Sequence, residues 1–226
     1  MPIEKQYNDF NAVYSENLEQ QDEVGNRMFY KYLNFPLEGK QVLDVGCGDG
    51  TDCVNYKKMG GIVFGVDPSE NFIGSAKEKL PEGNFVVGRG EILPFKDEEM
   101  DVVFSKYALQ TSPDVPKILQ EISRVLKPEG MLVYLAKAPI RQFIEKKKEG
   151  KNYFEQEMVD SYIYEGKIHL REPSHTLGEY LNPDFLRDFE IENFEEGYDF
   201  PASEQVNGDT YPTFFIMKAK KKQKHS

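Results

Sequence analysis

The stretch Gln41 to Asp67, QVLDVGCGDGTDCVNYKKMGGIVFGVD, constrains the fold of this chain more than any other. Val42, Leu43, Asp44 and Val45 predict a short buried strand. Gly46, Gly48 and Gly50 then turn the chain at once into an amphipathic stretch with helical spacing, Cys53 to Met59. Three glycines at alternate positions make a bare loop whose backbone can take positive φ and lets a ligand come close. A second strand, Ile62 to Val66, ends on Asp67, 17 residues after Gly50. A carboxylate at that place in an open α/β sheet reads the hydroxyls of a ribose, so loop and carboxylate together predict a nucleoside-containing cofactor.

The remaining pattern extends this unit. Helical spacing at Tyr7, Phe10, Val13 and Tyr14 and again over Val24 to Leu33 predicts two N-terminal helices packed over the domain. After Asp67, Ser69 is an N-cap for a helix reaching Leu80. Strands follow at Asn84 to Gly88, Met100 to Ser105 and Met131 to Ala136, with a helix from Val115 to Leu126 whose Ile118, Leu119, Ile122, Val125 and Leu126 share a face. The alternation fails between Ala138 and Asn182, a Tyr-rich segment after the charged run Arg141 to Lys151, which has the character of a lid. Two further strands, Phe189 to Glu195 and Pro212 to Ala219, lack a helix between them and predict an antiparallel edge.

The expected fold is therefore α/β: a doubly wound, mostly parallel seven-stranded sheet with helices on both faces and an antiparallel C-terminal pair. At 226 residues the chain suits one domain. It divides into N-terminal helices (1–34), a cofactor-binding core (35–138), a cap (139–182) and a strand pair with a basic tail (183–226).

Charge sets the class of partner. With 28 Lys and Arg against 39 Asp and Glu, the net charge of −11 argues against nucleic acid. Cys47 and Cys53 are the only cysteines, too few for a disulfide framework or a zinc site, and buried free thiols are expected. No metal site is expected, since His169, His175 and His225 form no ligand cluster with them. No apolar run approaches the roughly 20 residues that span a bilayer, and the polar start is unlike a signal sequence. A cytoplasmic monomer or homodimer without membrane attachment is expected. The lysines at 218, 220, 221, 222 and 224 are expected to be a solvated end.

Four segments, VLDVGCGDG, VFGVDPSE, EILPFKDEEMDVVFS and EISRVLKPEGMLVYL, resemble in order and spacing the successive motifs of the class I S-adenosylmethionine-dependent methyltransferases, in particular their small-molecule, type 11-like branch. The resemblance covers nearly the whole chain and implies a Rossmann-like methyltransferase fold. It also implies S-adenosyl-L-methionine as cofactor, S-adenosyl-L-homocysteine as product, and methyl transfer to an O, N or S atom of a small acceptor. The loop agrees with it, because a dinucleotide fingerprint would place its third glycine where Thr51 stands. Asp44 and Asp49 near the loop suit an amine and a sulfonium and would repel a pyrophosphate. A nicotinamide-dependent oxidoreductase and a non-catalytic S-adenosylmethionine-binding module are the alternatives.

By the resemblance, Gly46, Cys47 and Gly48 lie against the methionine part, with Asp44 behind them. Asp67 holds the ribose hydroxyls, Pro68 flanks the adenine, Gly90 and Glu91 line its other edge, and Ser105 and Lys106 end a strand beside the reacting centre. Tyr7, Tyr14, Tyr107, Tyr162, Tyr164 and Arg171 are candidates for an acceptor pocket roofed by the cap, and His175 for its acid-base group.

One departure stands out. Arg89 occupies a position where the family commonly has an acidic residue that accepts from the adenine amine, and arginine has donors only. Arg89→Asp is expected to be tolerated for cofactor binding; a loss of more than tenfold by calorimetry would give Arg89 a role of its own.

Overall fold

The structure, a computed structural model, describes residues 6–7, 23–146, 148–163, 168–199 and 208–223. Short Val- and Leu-rich runs become the strands β1 (Gln41–Val45), β2 (Ile62–Asp67), β3 (Asn84–Val87), β4 (Met100–Lys106) and β5 (Leu126–Lys137). These pair in parallel, and β8 (Phe189–Gly197) and β9 (Phe214–Lys221) extend the sheet antiparallel beyond β5. The two remaining strands, β6 (Met158–Ile163) and β7 (Ile168–Pro173), form a separate antiparallel hairpin. The seven-stranded order is β3-β2-β1-β4-β5-β9-β8; the strand count, the parallel core and the antiparallel C-terminal pair are as the sequence predicts. Strand order reverses between β1 and β4, and ligands of such sheets bind at the carboxyl ends where it does so.

Residues alternate strictly between two cores. Along β5, Leu132, Tyr134 and Ala136 pack on one face and Val133 and Leu135 on the other; along β9, Phe215 and Met217 oppose Phe214 and Ile216. Both faces are covered. Helix α4 (Val115–Val125) lays Ile118, Leu119, Ile122 and Val125 on the first face, its start fixed by the Asp114 carboxylate accepting from the Lys117 N–H at 3.0 Å. Helices α1 (Glu23–Lys31), α2 (Thr51–Lys58) and α3 (Glu70–Lys79) cover the second through Phe29, Tyr56 and Ile73. Ser69 caps α3, accepting from the Phe72 N–H at 3.2 Å.

The cap departs from expectation. Helix α5 (Pro139–Glu145) stops short of Lys151, and the hairpin β6–β7 follows it. Two short helices, α6 (Leu177–Tyr180) and α7 (Pro183–Asp188), lead back to the sheet, α7 started by Asn182, whose side chain accepts from the Phe185 N–H. The hairpin has no apolar signature because its buried face is half polar: Val159 and Leu170 share it with Ser161 and Glu172. Those polar groups meet Lys137, which donates to Ser161 Oγ at 2.6 Å and pairs with Glu172 and with Glu145. Arg141 continues the cluster to Glu145 and to Asp199.

The basic tail is corrected in part: Lys222 is exposed as expected, and Lys224 lies outside the described residues. Lys218, Lys220 and Lys221 are part of β9, an interior strand, and Lys218 and Lys221 are buried. Lys221 Nζ donates to the Leu126 carbonyl at 2.6 Å, Lys220 pairs with Glu129, and the Lys222 N–H donates to the Asp188 carbonyl. The pattern misleads because β9 buries long basic side chains whose ammonium ends reach carbonyl and carboxylate oxygens. Truncation after Ala219 removes these bonds and should lower the melting temperature by at least about 5 °C in a thermal denaturation scan. Each hydrogen bond contributes ~1 kcal/mol, and 1 kcal/mol shifts the midpoint of a chain this size by roughly 2–4 °C.

Candidate functional site

Three adjoining grooves open at the carboxyl ends of β1, β2 and β4, and Gly46 lines all of them. The glycine loop can be this bare because Gly46, Gly48 and Gly50 have φ of 78°, 53° and 78°. At Gly46 a Cβ would lie 2.1 Å from that of Ala108, whereas at Gly48 it would meet nothing within 4 Å. The loop therefore packs hard on one side and leaves room for a ligand on the other.

Asp67 fastens the loop. Its carboxylate accepts from the Gly48 N–H at 3.0 Å and from the Ser69 N–H at 2.9 Å, so one side chain joins the loop, the end of β2 and the start of α3. Burial pushes its pKa up to about 6 against the pull of those two bonds. It lines a groove shared with Tyr7, Pro68, Phe72, Lys106 and Tyr107. A second groove runs from Pro68 along Gly88, Arg89, Gly90 and Glu91 to Leu109 and Ile118, apolar at its base. Glu91 accepts there from Ser112 Oγ.

The third groove is strongly polar. Asn26 and Tyr30 of α1 face Asp44, Asp52, Asn55 and Lys106 across it. Lys106 Nζ lies 2.6 Å from Asp52 and donates to Asn26 Oδ1 at 2.9 Å, while Tyr30 donates to Asp52 and accepts from Asn55. Asp44 is 3 % exposed and, among the described residues, receives one weak bond, from the Cys53 thiol at 3.6 Å. Burial and the nearby Asp52 push its pKa up to about 8, with Lys106 opposing. A carboxyl group so placed accommodates a ligand that brings a positive charge. Asp49 is different: it accepts from the Thr51 N–H and Oγ1 and pairs with Lys79, so its charge is already met within the protein.

Cys47 and Cys53 are free and buried, as expected, and burial helps raise both thiols. The other predicted residues separate into those the trough gathers and those it does not. Lys106, Tyr7 and Tyr107 border it. Ser105 does not, because it is fully buried and its hydroxyl donates to the Val45 carbonyl at 2.7 Å. Tyr162 and Arg171 stand on the exposed face of the hairpin, Tyr162 stacked on His169 at 4.7 Å and Arg171 beside Asp160. Tyr14 and Tyr164 fall outside the described residues.

His175, the candidate acid-base group, lines none of the three grooves. It is buried, and its Nδ1 lies 3.3 Å from Glu179 and its Nε2 3.1 Å from the Gln110 carbonyl, which can only accept. Nε2 therefore carries a hydrogen and cannot take a proton from an acceptor.

Residues that the sequence reading missed are Tyr30, Asp52 and Asn26. Their side chains meet Lys106 or each other across the groove, but no local spacing links α1 to the loop.

Residues 43–134 match the family described as a methyltransferase domain. The chain is 36% identical over 109 residues to an uncharacterized methyltransferase of Synechocystis, covering 45% of this chain and 51% of that protein. It is 40% identical over 105 residues to the demethylmenaquinone methyltransferase of Lactococcus lactis, covering 43% and 42%. The chain spans about half the length of the curated relatives it matches. A solved S-adenosylmethionine-dependent methyltransferase from Mesorhizobium loti has the same fold, with a TM-score of 0.70 at 21% identity over 88% of this chain and 99% of that one.

The polar groove yields a pH test. Because the folded-state pKa of Asp44 is raised to about 8, the ligand-free protein should lose stability as pH rises from the ordinary carboxylate range toward about 8, then level off. Asp44→Asn should abolish that decline in melting scans. In wild type, a cationic ligand beside Asp44 should bind more tightly as pH rises from about 6 to about 8. A flat profile for S-adenosylhomocysteine would separate Asp44 from the ligand.

Proposed function

Because residues 43–134 match the family described as a methyltransferase domain, we propose that this chain is a class I S-adenosylmethionine-dependent methyltransferase that moves the cofactor's methyl group to an O, N or S atom of a small acceptor. The observation that carries this reading is a pair of buried carboxyl groups flanking one glycine loop: Asp67 at the end of β2, which holds the Gly48 N–H, and Asp44 of β1, which makes no ion pair among the described residues. A zwitterionic amino acid joined to a nucleoside satisfies both. The space beside Gly48 and the polar groove fit the cofactor.

In this reading Asp67 accepts from the ribose hydroxyls on the lone pairs left by Gly48 and Ser69. Asp44, Asp52 and Lys106 hold the amino-acid end. Pro68, Gly90 and Glu91 border the purine, and Arg89 at the rim supplies no acceptor for its amine. When bound, the cofactor supplies an already activated methyl group, so the protein's part is alignment and exclusion of water. Tyr7, Tyr107, Lys106 and Thr111 border the space where an acceptor would meet it. Gln6 exchanges two hydrogen bonds with the Arg171 backbone of β7, which ties the residue next to Tyr7 to the cap. The nicotinamide alternative fares poorly, because Asp44 and Asp52 would face a pyrophosphate.

We take the working unit to be one domain with a small-molecule partner, acting in the cytoplasm as a monomer or homodimer. The free thiols support that place; among the described residues no helix is long and apolar enough to cross a membrane.

Calorimetry with S-adenosylhomocysteine and a labelled-methyl screen of amines, phenols, quinones and carboxylates test the function. Asp67→Ala should weaken binding by at least ~1.5 kcal/mol, roughly tenfold, since a charge-assisted hydrogen bond is worth about 1.5–3 kcal/mol. It should also loosen the loop, because the same carboxylate holds Gly48. Unchanged affinity would remove Asp67 from the site, and binding without transfer to any acceptor would favour a non-catalytic module.

A further inference from the structure

The segment from Tyr107 to Thr111 is the wall between the nucleoside groove and the space bordering Lys106, and it stands in an unusual backbone state. Tyr107 has φ of 53°, a left-handed conformation that a bulky side chain adopts only when its surroundings enforce it. Three contacts do so. Its N–H donates to the Leu135 carbonyl at 2.8 Å, its carbonyl accepts from Gln110 Nε2 at 2.7 Å, and its ring meets Phe214 edge-on.

Gln110 is itself held from behind, by the cap. Its backbone carbonyl receives His175 Nε2 at 3.1 Å, and the other imidazole nitrogen lies against Glu179. The His175 N–H donates to Gln142 Oε1, and Gln142 Nε2 donates to the Pro173 carbonyl at the end of β7. Gln110, Gln142 and His175 are all buried, so each bond forms where water offers no substitute. A continuous polar chain thus runs from the hairpin through His175 and Gln110 to the strained residue at the trough. Its far end matters to the ligand, because Ala108 leaves no room for a Cβ on Gly46. The wall and the glycine loop are therefore packed directly on one another at this point.

We propose that His175 is a positioning residue of the methyl-transfer site: through Gln110 it fixes the Tyr107–Thr111 wall against the glycine loop, so that the docked cap sets the affinity for the nucleoside cofactor. The inference rests on the methyl-transfer function proposed above. Glu179 orients the imidazole, and the hydrogen bonds from His175 and Thr176 hold its carboxyl below the usual range against the upward push of burial.

The test is calorimetric titration of S-adenosylhomocysteine into wild type, His175→Phe, His175→Gln, Gln110→Leu and the His175→Phe/Gln110→Leu double variant, each with a ligand-free melting curve. His175→Phe should bind about tenfold more weakly. His175→Gln, whose amide can still donate to the Gln110 carbonyl, should stay within about threefold of wild type. Gln110→Leu should also weaken binding, and the double variant should lose less than the product of the two single factors, because both act on one chain of bonds. A merely structural histidine would lower the melting temperature without this rescue or this coupling. Normal affinity in His175→Phe, equal weakness in both His175 variants, or multiplying single effects would overturn the proposal. Should His175→Phe fail to fold, His175→Gln against Gln110→Leu decides it: equal losses sink it. If wild type binds no S-adenosylhomocysteine at all, the methyl-transfer reading falls, and this inference with it.

Discussion

Two hydrogen bonds to one carboxylate hold the working end of this molecule together. Asp67 lies at the end of β2 and takes the N–H groups of Gly48 and Ser69, so the glycine loop, the second strand and the third helix meet at a single side chain. Without it the Gly48 N–H would lose its partner, leaving the loop to the bonds that the Gly46 and Cys47 N–H groups make to the Val66 carbonyl and to the packing of Gly46 on Ala108. The sheet sets where the clamp stands: strand order reverses beside β1, and the carboxyl ends of β1, β2 and β4 converge there.

Much of this was legible in the residues. Strands β1 to β5 are short apolar runs bounded by Gly, Pro or a capping residue, and those signals act locally. The glycine loop and Asp67 were readable for the same reason, as their spacing is fixed by one strand–helix–strand unit. The hairpin β6–β7 was not readable, because the face it buries includes Ser161 and Glu172, which look like surface residues until Lys137 is placed beneath them. The C-terminal lysines misled in the same way. Their charge suggests solvent, yet β9 is interior and carbonyl and carboxylate oxygens receive their ammonium groups. His175 drew attention for its chemistry, but only long-range packing shows that both nitrogens already have partners.

The region matched to the methyltransferase family ends at residue 134, just before the cap begins. The cofactor end and the cap are therefore different kinds of surface. In the first, backbone geometry and two carboxylates define a small set of ligands. The second, the hairpin with the polar chain through His175, stands behind Gln110 and outside the grooves, and its buried face is ionic. Residues 6 and 7 bridge the two, with Gln6 on β7 and Tyr7 against Phe72 of α3.

The ionic cluster beneath the hairpin gives the cap an uneven capacity for change. Lys137 and Arg141 face Glu145, Glu172 and Asp199 in a largely buried setting, and removing one member of such a group strands its partner at a cost of about 3–5 kcal/mol. Single substitutions there are close to forbidden, so the inner face should drift only through paired exchanges. The outer face, with Asp160, Tyr162, His169 and Arg171, lies in water and carries no such penalty. Descendants of this chain can thus vary the outside of the cap freely while inheriting its seat unaltered.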